Sequence, residues 1–425
     1  MAFSDDCRIY ESNGKYLVLN PTLPTWIVTN INGVLLLKLY REDKTFNQIA
    51  DEFLTYAPYF SKSSLLAFLK KADEARLFHI STDSLSHKPY NLGAVYFNMT
   101  EACNLHCIYC FATERKEKIK RMAYRDYVSV LDSIYKINPN AEIMFTGGEP
   151  LLFESTLDVA RYAKNKGFRC KLMTNGTLIN QNNVNDIVDL FVSVRISIDG
   201  SSRDIHEQYR GKNTYSKTMS AIDLLLNHNE DVILAMVVTK QNCHDVKAMA
   251  QKWGKRLIFQ PLFPLGNAKL QKELYLTGEE YFNVLNESGS DFIVPYANLA
   301  DVIERQKQNQ SLLKCAMGDG EISISCSGDV YPCQLLHAEK YCVGNIFNQS
   351  LEDIYYSEKL DRFKYHTIHD IDLCRSCDIR LLCGGSCQAR HFSETGSIDK
   401  AGSFCSYEKK AIINGLIQSA VMQEL

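Results

Sequence analysis

Residues 94–111 read AVYFNMTEACNLHCIYCF, a short apolar run of strand character that breaks into a loop bearing Cys103, Cys107 and Cys110. Three thiolates spaced C-x3-C-x2-C can converge on one metal centre from a single loop. Iron–sulfur clusters prefer such ligands, and three of them on a [4Fe–4S] cube leave one iron open. A zinc site usually takes a fourth ligand, which His106 could supply, so the spacing alone allows either metal. The chain holds 15 cysteines in 425 residues, three between Cys103 and Cys110 and nine between Cys315 and Cys405. The N-terminus, MAFSDDCRIY, lacks the basic and apolar regions of a signal peptide. A cytoplasmic protein is therefore expected, and in a reducing compartment clustered cysteines point to metal or redox chemistry rather than disulfides.

Outward from that loop, strand-like runs alternate with helical ones. After AVYFNMT come AEIMFTG, RCKLMTNG, VSVRISID, VILAMVVT and RLIFQPLF, separated by stretches such as STLDVARYAKNKG and NVNDIVDLF. Six β-α units predict a parallel sheet, and right-handed crossovers curl it into a barrel or partial barrel. Such folds put chemistry at the C-terminal ends of their strands. The unusual residues fall there: Cys103–Cys110 after the first strand, Gly147-Gly148-Glu149-Pro150 after the second, Asn175-Gly176 after the third and Asp199-Gly200 after the fourth.

The three-cysteine loop with Tyr109 before its last Cys, on the first strand of a six-unit barrel and followed by GGEP, resembles the radical SAM superfamily. The resemblance implies a partial (β/α)6 barrel over about residues 89–300. It implies that Cys103, Cys107 and Cys110 bind a [4Fe–4S] cluster whose open iron chelates S-adenosylmethionine, one electron from the cluster then yielding a 5′-deoxyadenosyl radical. Gly147, Gly148 and Glu149 would meet the methionine amino group, with Glu149 offering a carboxylate to an ammonium. Ser197 matches a position that contacts S-adenosylmethionine, and Asp199 lies beside it on the same strand face. Arg210 would pair with its carboxylate, a bidentate task suited to arginine. Phe263 and Tyr109 would border the adenine.

The last segment, about residues 301–425, is dense in Cys and Gly and reads as loops tied down by metal, with little long regular structure. Its pattern is Cys315-x12-Gly328-x4-Cys333, then Cys374-x2-Cys377-x5-Cys383-x3-Cys387, then Cys405. A pair of zinc ribbons is one reading. The spacing resembles the seven-cysteine SPASM extension of radical SAM enzymes, over about residues 312–410. That resemblance implies two auxiliary [4Fe–4S] clusters, three with the core cluster. Cys374, Cys377, Cys383 and Cys405 would bind the outer one; Cys315, Cys333 and Cys387 the inner one, whose fourth position varies across the family. Cys326 is the candidate for that position, or else a small apolar side chain. Cys7, Cys170, Cys243 and Cys342 are expected to be ordinary buried thiols.

Residues 1–88 begin with three strand-like runs, CRIYES, KYLVLNP and TWIVTN, and continue with three helical ones. Thr45, with Gln48 three residues on, predicts a capped helix start. The order suggests a small winged-helix-like unit. As a DNA-binding module it would need Lys and Arg gathered on its last helix, which they are not. The chain's 47 Lys+Arg against 50 Asp+Glu, a net charge of −3, offer nucleic acid no basic face. Apolar runs no longer than VILAMVV offer a membrane no span.

Ahead of a radical SAM core, three strands and three helices resemble the RiPP recognition element. That family unit binds a precursor's leader peptide as an added strand beside its third strand and against its third helix. The whole reading is a peptide maturase acting on a ribosomally made precursor and served by an electron donor such as flavodoxin or ferredoxin. Its expected product is an intramolecular thioether, from a Cys sulfur to an α or β carbon. Carbon–carbon crosslinking, epimerisation and sulfatase maturation are the alternatives.

Overall fold

The computed structural model describes residues 7–40, 44–79, 91–114, 121–228, 230–288 and 313–419. The expected segment boundaries at 88/89 and 300/301 lie outside these spans. The first sheet is antiparallel, in the order β1 (Arg8–Ser12), β2 (Lys15–Asn20), β3 (Thr25–Thr29). The helices α1 (Ile31–Tyr40), α2 (Phe46–Tyr56) and α3 (Lys62–Glu74) follow. α2 starts where the sequence predicts. The Gln48 amide donates to Thr45 Oγ1, and the Thr45 amide donates to the Gln48 side chain.

Side chains alternate across this sheet. Val18 and Ile27 face the three helices and pack with Leu37, Phe53 and Phe68. Leu17, Leu19, Trp26 and Val28 face the other way, onto Ile412, Ile413, Leu416 and Ile417 of the C-terminal helix Cys405–Ser419. Ile379 and Leu382, from the outer cysteine loop, complete that core. Each such buried side chain stabilises by about 1.5–3 kcal/mol. Tyr10 Oη donates to Asp378 Oδ2 at 2.6 Å, and Arg8 and Lys409 each approach the same carboxylate at 3.4 Å. The N-terminal unit is thus docked on the last segment and shares its core.

The large sheet has nine strands, in the order β12-β11-β10-β4-β5-β6-β7-β8-β9. β4 (Ala94–Asn98), β5 (Glu142–Thr146), β6 (Arg169–Thr174), β7 (Ser193–Ser197), β8 (Val232–Val238) and β9 (Leu257–Pro261) are the six predicted strands. Each pairs in parallel with its chain neighbour, so the core is a partial barrel open at one side. The other three strands come from the last segment: β10 (Glu321–Ile324), β11 (Asp329–Tyr331) and β12 (Gly344–Asn345). β10 runs parallel to β4, with Ser323 beside Tyr96, and turns back antiparallel into β11. The expectation of little long regular structure there fails. A hairpin extends the barrel sheet, and a 15-residue helix spans Cys405–Ser419.

Candidate active site

A cavity of about 250 Å³ opens at the C-terminal ends of the barrel strands. The thiols of Cys103, Cys107 and Cys110 line it, together with Tyr109, Gly147, Gly148, Ser197, Arg210 and Phe263. The three-cysteine loop is braced from β5. The amide of Gly148 donates to Thr100 O at 2.7 Å and that of Glu149 to Ala102 O at 2.9 Å. Both glycines are required by this approach. A Cβ on Gly147, which sits at φ +136°, would meet Thr100 O at 2.5 Å, and one on Gly148 would overlap Ala102 O.

Two residues expected at the cavity point elsewhere. Glu149 is fully buried and does not line it. Its carboxylate accepts from Thr174 Oγ1 at 2.7 Å, Asn175 N at 2.9 Å and Leu151 N at 3.2 Å. Burial pushes this carboxyl up, and the three donors work against it. The side chain ties the end of β5 to the end of β6. Asp199 is likewise fully buried behind the wall. Its Oδ1 accepts from Val237 N at 3.0 Å, and its Oδ2 accepts from Tyr109 Oη and Arg210 Nε. Arg210 Nη2 also donates to Tyr109 Oη at 3.0 Å. Asp199 therefore holds Arg210 and Tyr109 in place while those two face the cavity.

Other polar groups reach the cavity without having been assigned a role. Asn175 donates to Asn104 Oδ1 at 2.9 Å and approaches Cys103 Sγ at 4.0 Å. Arg195 and Gln260 project from β7 and β9. Their signal in the sequence is a polar residue inside an otherwise apolar strand run. Gln334 and Leu335, immediately after Cys333, bring the last segment into the wall.

The remaining cysteines fall into two groups. Cys374, Cys377, Cys383 and Cys405 surround one small hollow. Cys315, Cys333 and Cys387 are close enough for charge on one to disfavour charge on the next. Cys326 belongs to neither. It sits past the end of β10, with its thiol 3.8 Å from Glu101 Oε1 and its carbonyl accepting from Met122 N. The structure thus places Cys326, the candidate for the fourth position of the inner set, beside Glu101 and apart from Cys315, Cys333 and Cys387. Cys7 and Cys170 are buried as expected, whereas Cys243 and Cys342 are half-buried.

Burial pushes the thiol of Cys107 up to about 11 and those of Cys315 and Cys374 up to about 12. Such thiols ionise readily only when a metal takes the proton's place. Among the described residues no three His, Cys, Asp or Glu side chains close on one point as a single ion would require. A cube spreads its ligands over four irons and needs no such convergence. The surroundings fit clusters. Gly384, Gly385 and Ser386 follow one another at φ +70°, +87° and +57°, a run that turns backbone N–H groups inward around Cys383 and Cys387. The Gly385 amide is near enough to favour the Cys383 thiolate against its burial. Ser386 Oγ and Gln388 Nε2 are buried donors with no hydrogen-bond partner among the described residues, and sulfide could accept from both.

Comparison with known proteins agrees with this geometry. Residues 97–252 match the Radical SAM superfamily model and residues 315–378 that of the SPASM iron–sulfur cluster-binding domain. The chain is 28% identical to an AdoMet-dependent heme synthase of Oleidesulfovibrio alaskensis, over 74% of this chain and 87% of that one. It is 25% identical to the antilisterial bacteriocin subtilosin biosynthesis protein AlbA of Bacillus subtilis, over 80% and 76%. Streptococcus suis SuiB, solved bound to its precursor peptide SuiA, superposes with a TM-score of 0.60 at 15% identity, over 95% of this chain and 99% of that one. With its thiol-lined cavity at the strand ends and its cysteine-rich extension, the chain belongs to the radical SAM superfamily as an enzyme with a SPASM domain, working with S-adenosylmethionine and [4Fe–4S] clusters.

Proposed function

We propose that this enzyme modifies a ribosomally made precursor peptide, joining a Cys sulfur to an α or β carbon of another residue as an intramolecular thioether. The observation that carries the reading is the N-terminal sheet. β3 pairs with β2 alone, so one of its edges has no strand partner among the described residues. α3 reaches the same region: a Cβ on Gly33 would touch Thr29 at the end of β3 and come within 2.9 Å of Phe68 on α3. An extended leader added at that edge would gain main-chain hydrogen bonds from β3 and apolar contact from α3. A Kd near 1 μM needs only about 8 kcal/mol, within reach of one such groove. SuiB, whose fold spans this unit too, is a precursor-peptide binder by its own structure.

In this reading Cys103, Cys107 and Cys110 hold the core cluster, and the Gly147–Gly148 backbone faces the amino group of S-adenosylmethionine. Arg210 takes its carboxylate, Ser197 adds a hydroxyl contact, and Tyr109 and Phe263 flank the adenine. When bound, the reduced cluster and S-adenosylmethionine supply the hydrogen-abstracting radical. The chain's own residues orient and seal. Asp199 fixes the Arg210 fork. Glu149 locks two strand ends. Tyr109 and Phe263 keep water from the reacting carbon. Cys374, Cys377, Cys383 and Cys405 form the outer auxiliary site, and Cys315, Cys333 and Cys387 the inner one. Gln334 puts the wall of the cavity one residue from Cys333, a short path for the electron released when the bond closes.

Co-expression with the precursor and mass spectrometry of the product test this. The thioether reading expects a loss of about two hydrogens per modification, abolished when the core peptide's cysteines are replaced. A loss that survives Cys→Ala in the peptide rejects it for a carbon–carbon link. No mass change, with deuterium entering from D2O, rejects it for epimerisation.

A further inference from the structure

Glu321 stands in the inner cysteine group. In the β10–β11 hairpin Ser323 pairs with Tyr331 and Ile324 with Val330. Extended two residues past Tyr331, where β11 ends, the same register would set Glu321 across from Cys333. Side chains so placed have Cβ atoms about 4.5–5.5 Å apart. Burial pushes the Glu321 carboxyl up, and the neighbouring Cys333 thiol works against that. The turn that carries Cys315 folds back onto the same spot. Glu321 N donates to Ala316 O at 2.8 Å, and Gly318 N donates to both Glu321 O and Pro332 O at 2.9 Å. Cys315, Glu321 and Cys333 are thereby drawn together by backbone bonds, and Cys387 joins them from the start of the helix Gln388–Thr395. Cys326 is five residues further along from Glu321, roughly 15 Å at the rise of a strand, and meets Glu101 instead.

We propose that Glu321 is the fourth protein group of the inner auxiliary site, a carboxylate that closes the set of Cys315, Cys333 and Cys387. The inference rests on the cluster assignment above. With iron bound, Cys333 would stand as a thiolate with the Glu321 carboxylate beside it. Oxygen is the harder donor of the two and holds iron less firmly than sulfur does. The site is therefore closed at rest and exchangeable, unlike the outer site with its four thiolates.

The test uses the full chain carrying Cys103→Ala, Cys107→Ala and Cys110→Ala, so that only auxiliary clusters contribute. It is reconstituted anaerobically with iron and sulfide, reduced, and studied by EPR and ENDOR. With Glu321→Cys, the iron content should hold and the g-values of one cluster should shift. With Glu321→Ala, added 13C-cyanide should give a 13C coupling that the chain with Glu321 lacks. Should Glu321→Ala instead lose about four irons, restoration of them by Glu321→Cys but not by Glu321→Leu supports the same role. Equal cyanide binding with and without Glu321, or g-values indifferent to Cys at 321, overturns it. A chain with Glu321 that takes up no iron at all fails differently, because it removes the auxiliary clusters themselves.

Discussion

Asp199 and Arg210 form a buried ion pair directly behind the cavity wall, with Tyr109 hydrogen-bonded to both. The pair is the fixed point from which the guanidinium reaches the cavity. Asp199→Asn leaves the shape and removes the charge. Breaking a buried pair costs about 3–5 kcal/mol, and a misaimed charged hydrogen bond costs about 1.5–3 kcal/mol. Asp199→Asn should lower the melting temperature and weaken S-adenosylmethionine binding by about 10- to 100-fold. Titration calorimetry on reconstituted protein checks this; unchanged affinity would show that Arg210 needs no anchor.

Cys103→Ala, Cys107→Ala and Cys110→Ala should each abolish release of 5′-deoxyadenosine by reduced enzyme. Each should retain about eight of the twelve irons of three cubes, because the other two groups lie in a separate segment. Iron analysis and chromatography of the nucleoside decide it. Stoichiometric zinc in place of iron would return the last segment to the ribbon reading.

Leader recognition is best tested without truncation. Deleting the N-terminal unit would expose Ile412, Leu416 and Ile417, which it covers, and Ile27→Pro would also disturb a buried side chain. Leu66, 42% exposed on α3, can be changed with little cost to folding. Leu66→Glu should weaken leader binding by about tenfold, the worth of one partly buried aliphatic side chain, and leave S-adenosylmethionine cleavage without peptide unchanged. Fluorescence anisotropy of a labelled leader reads the first and nucleoside release the second. Equal leader affinity would remove α3 from the groove.

His206 sits fully buried beside this machinery, its Nδ1 accepting from Asp199 N at 3.3 Å. Burial, reinforced by the Arg210 charge, pulls its pKa down to about 4 from 6.5. The unfolded chain then binds the extra proton between those values, so stability is present above pH 6.5 and is lost as pH falls toward 4. The loss amounts to about 3 kcal/mol. Chemical denaturation of wild type and His206→Gln at pH 7.5 and 5 measures it, and the variant should show the shallower dependence. Parallel pH profiles would contradict the assignment.

The six barrel strands were readable because each is a short apolar run whose end carries a glycine or a polar residue, and the Thr45 cap because its partner lies three residues away. What escaped was non-local. Ile322 and Ile324 look like any short strand, and nothing local says that β10 joins β4, more than 220 residues earlier. The final helix hid for another reason. It packs against the N-terminal sheet, the outer cysteine loop and the barrel's flank, so its apolar residues do not keep to one stripe. Side-chain direction was the other gap. Glu149 and Asp199 sit at strand ends, where a carboxylate can turn to a ligand or to neighbouring backbone amides, and the sequence reads the same for both.

Under the function proposed above, the helix that begins at Cys405 and lies under Leu17, Leu19 and Trp26 would make iron loading and substrate capture one linked equilibrium. A chain starved of iron would leave Cys405 and the loop around Cys383 without their shared anchor, and so loosen the platform on which the peptide reader rests. Empty enzyme would then recruit its peptide poorly. The cell would thereby avoid sequestering a precursor on a catalyst unable to turn it over.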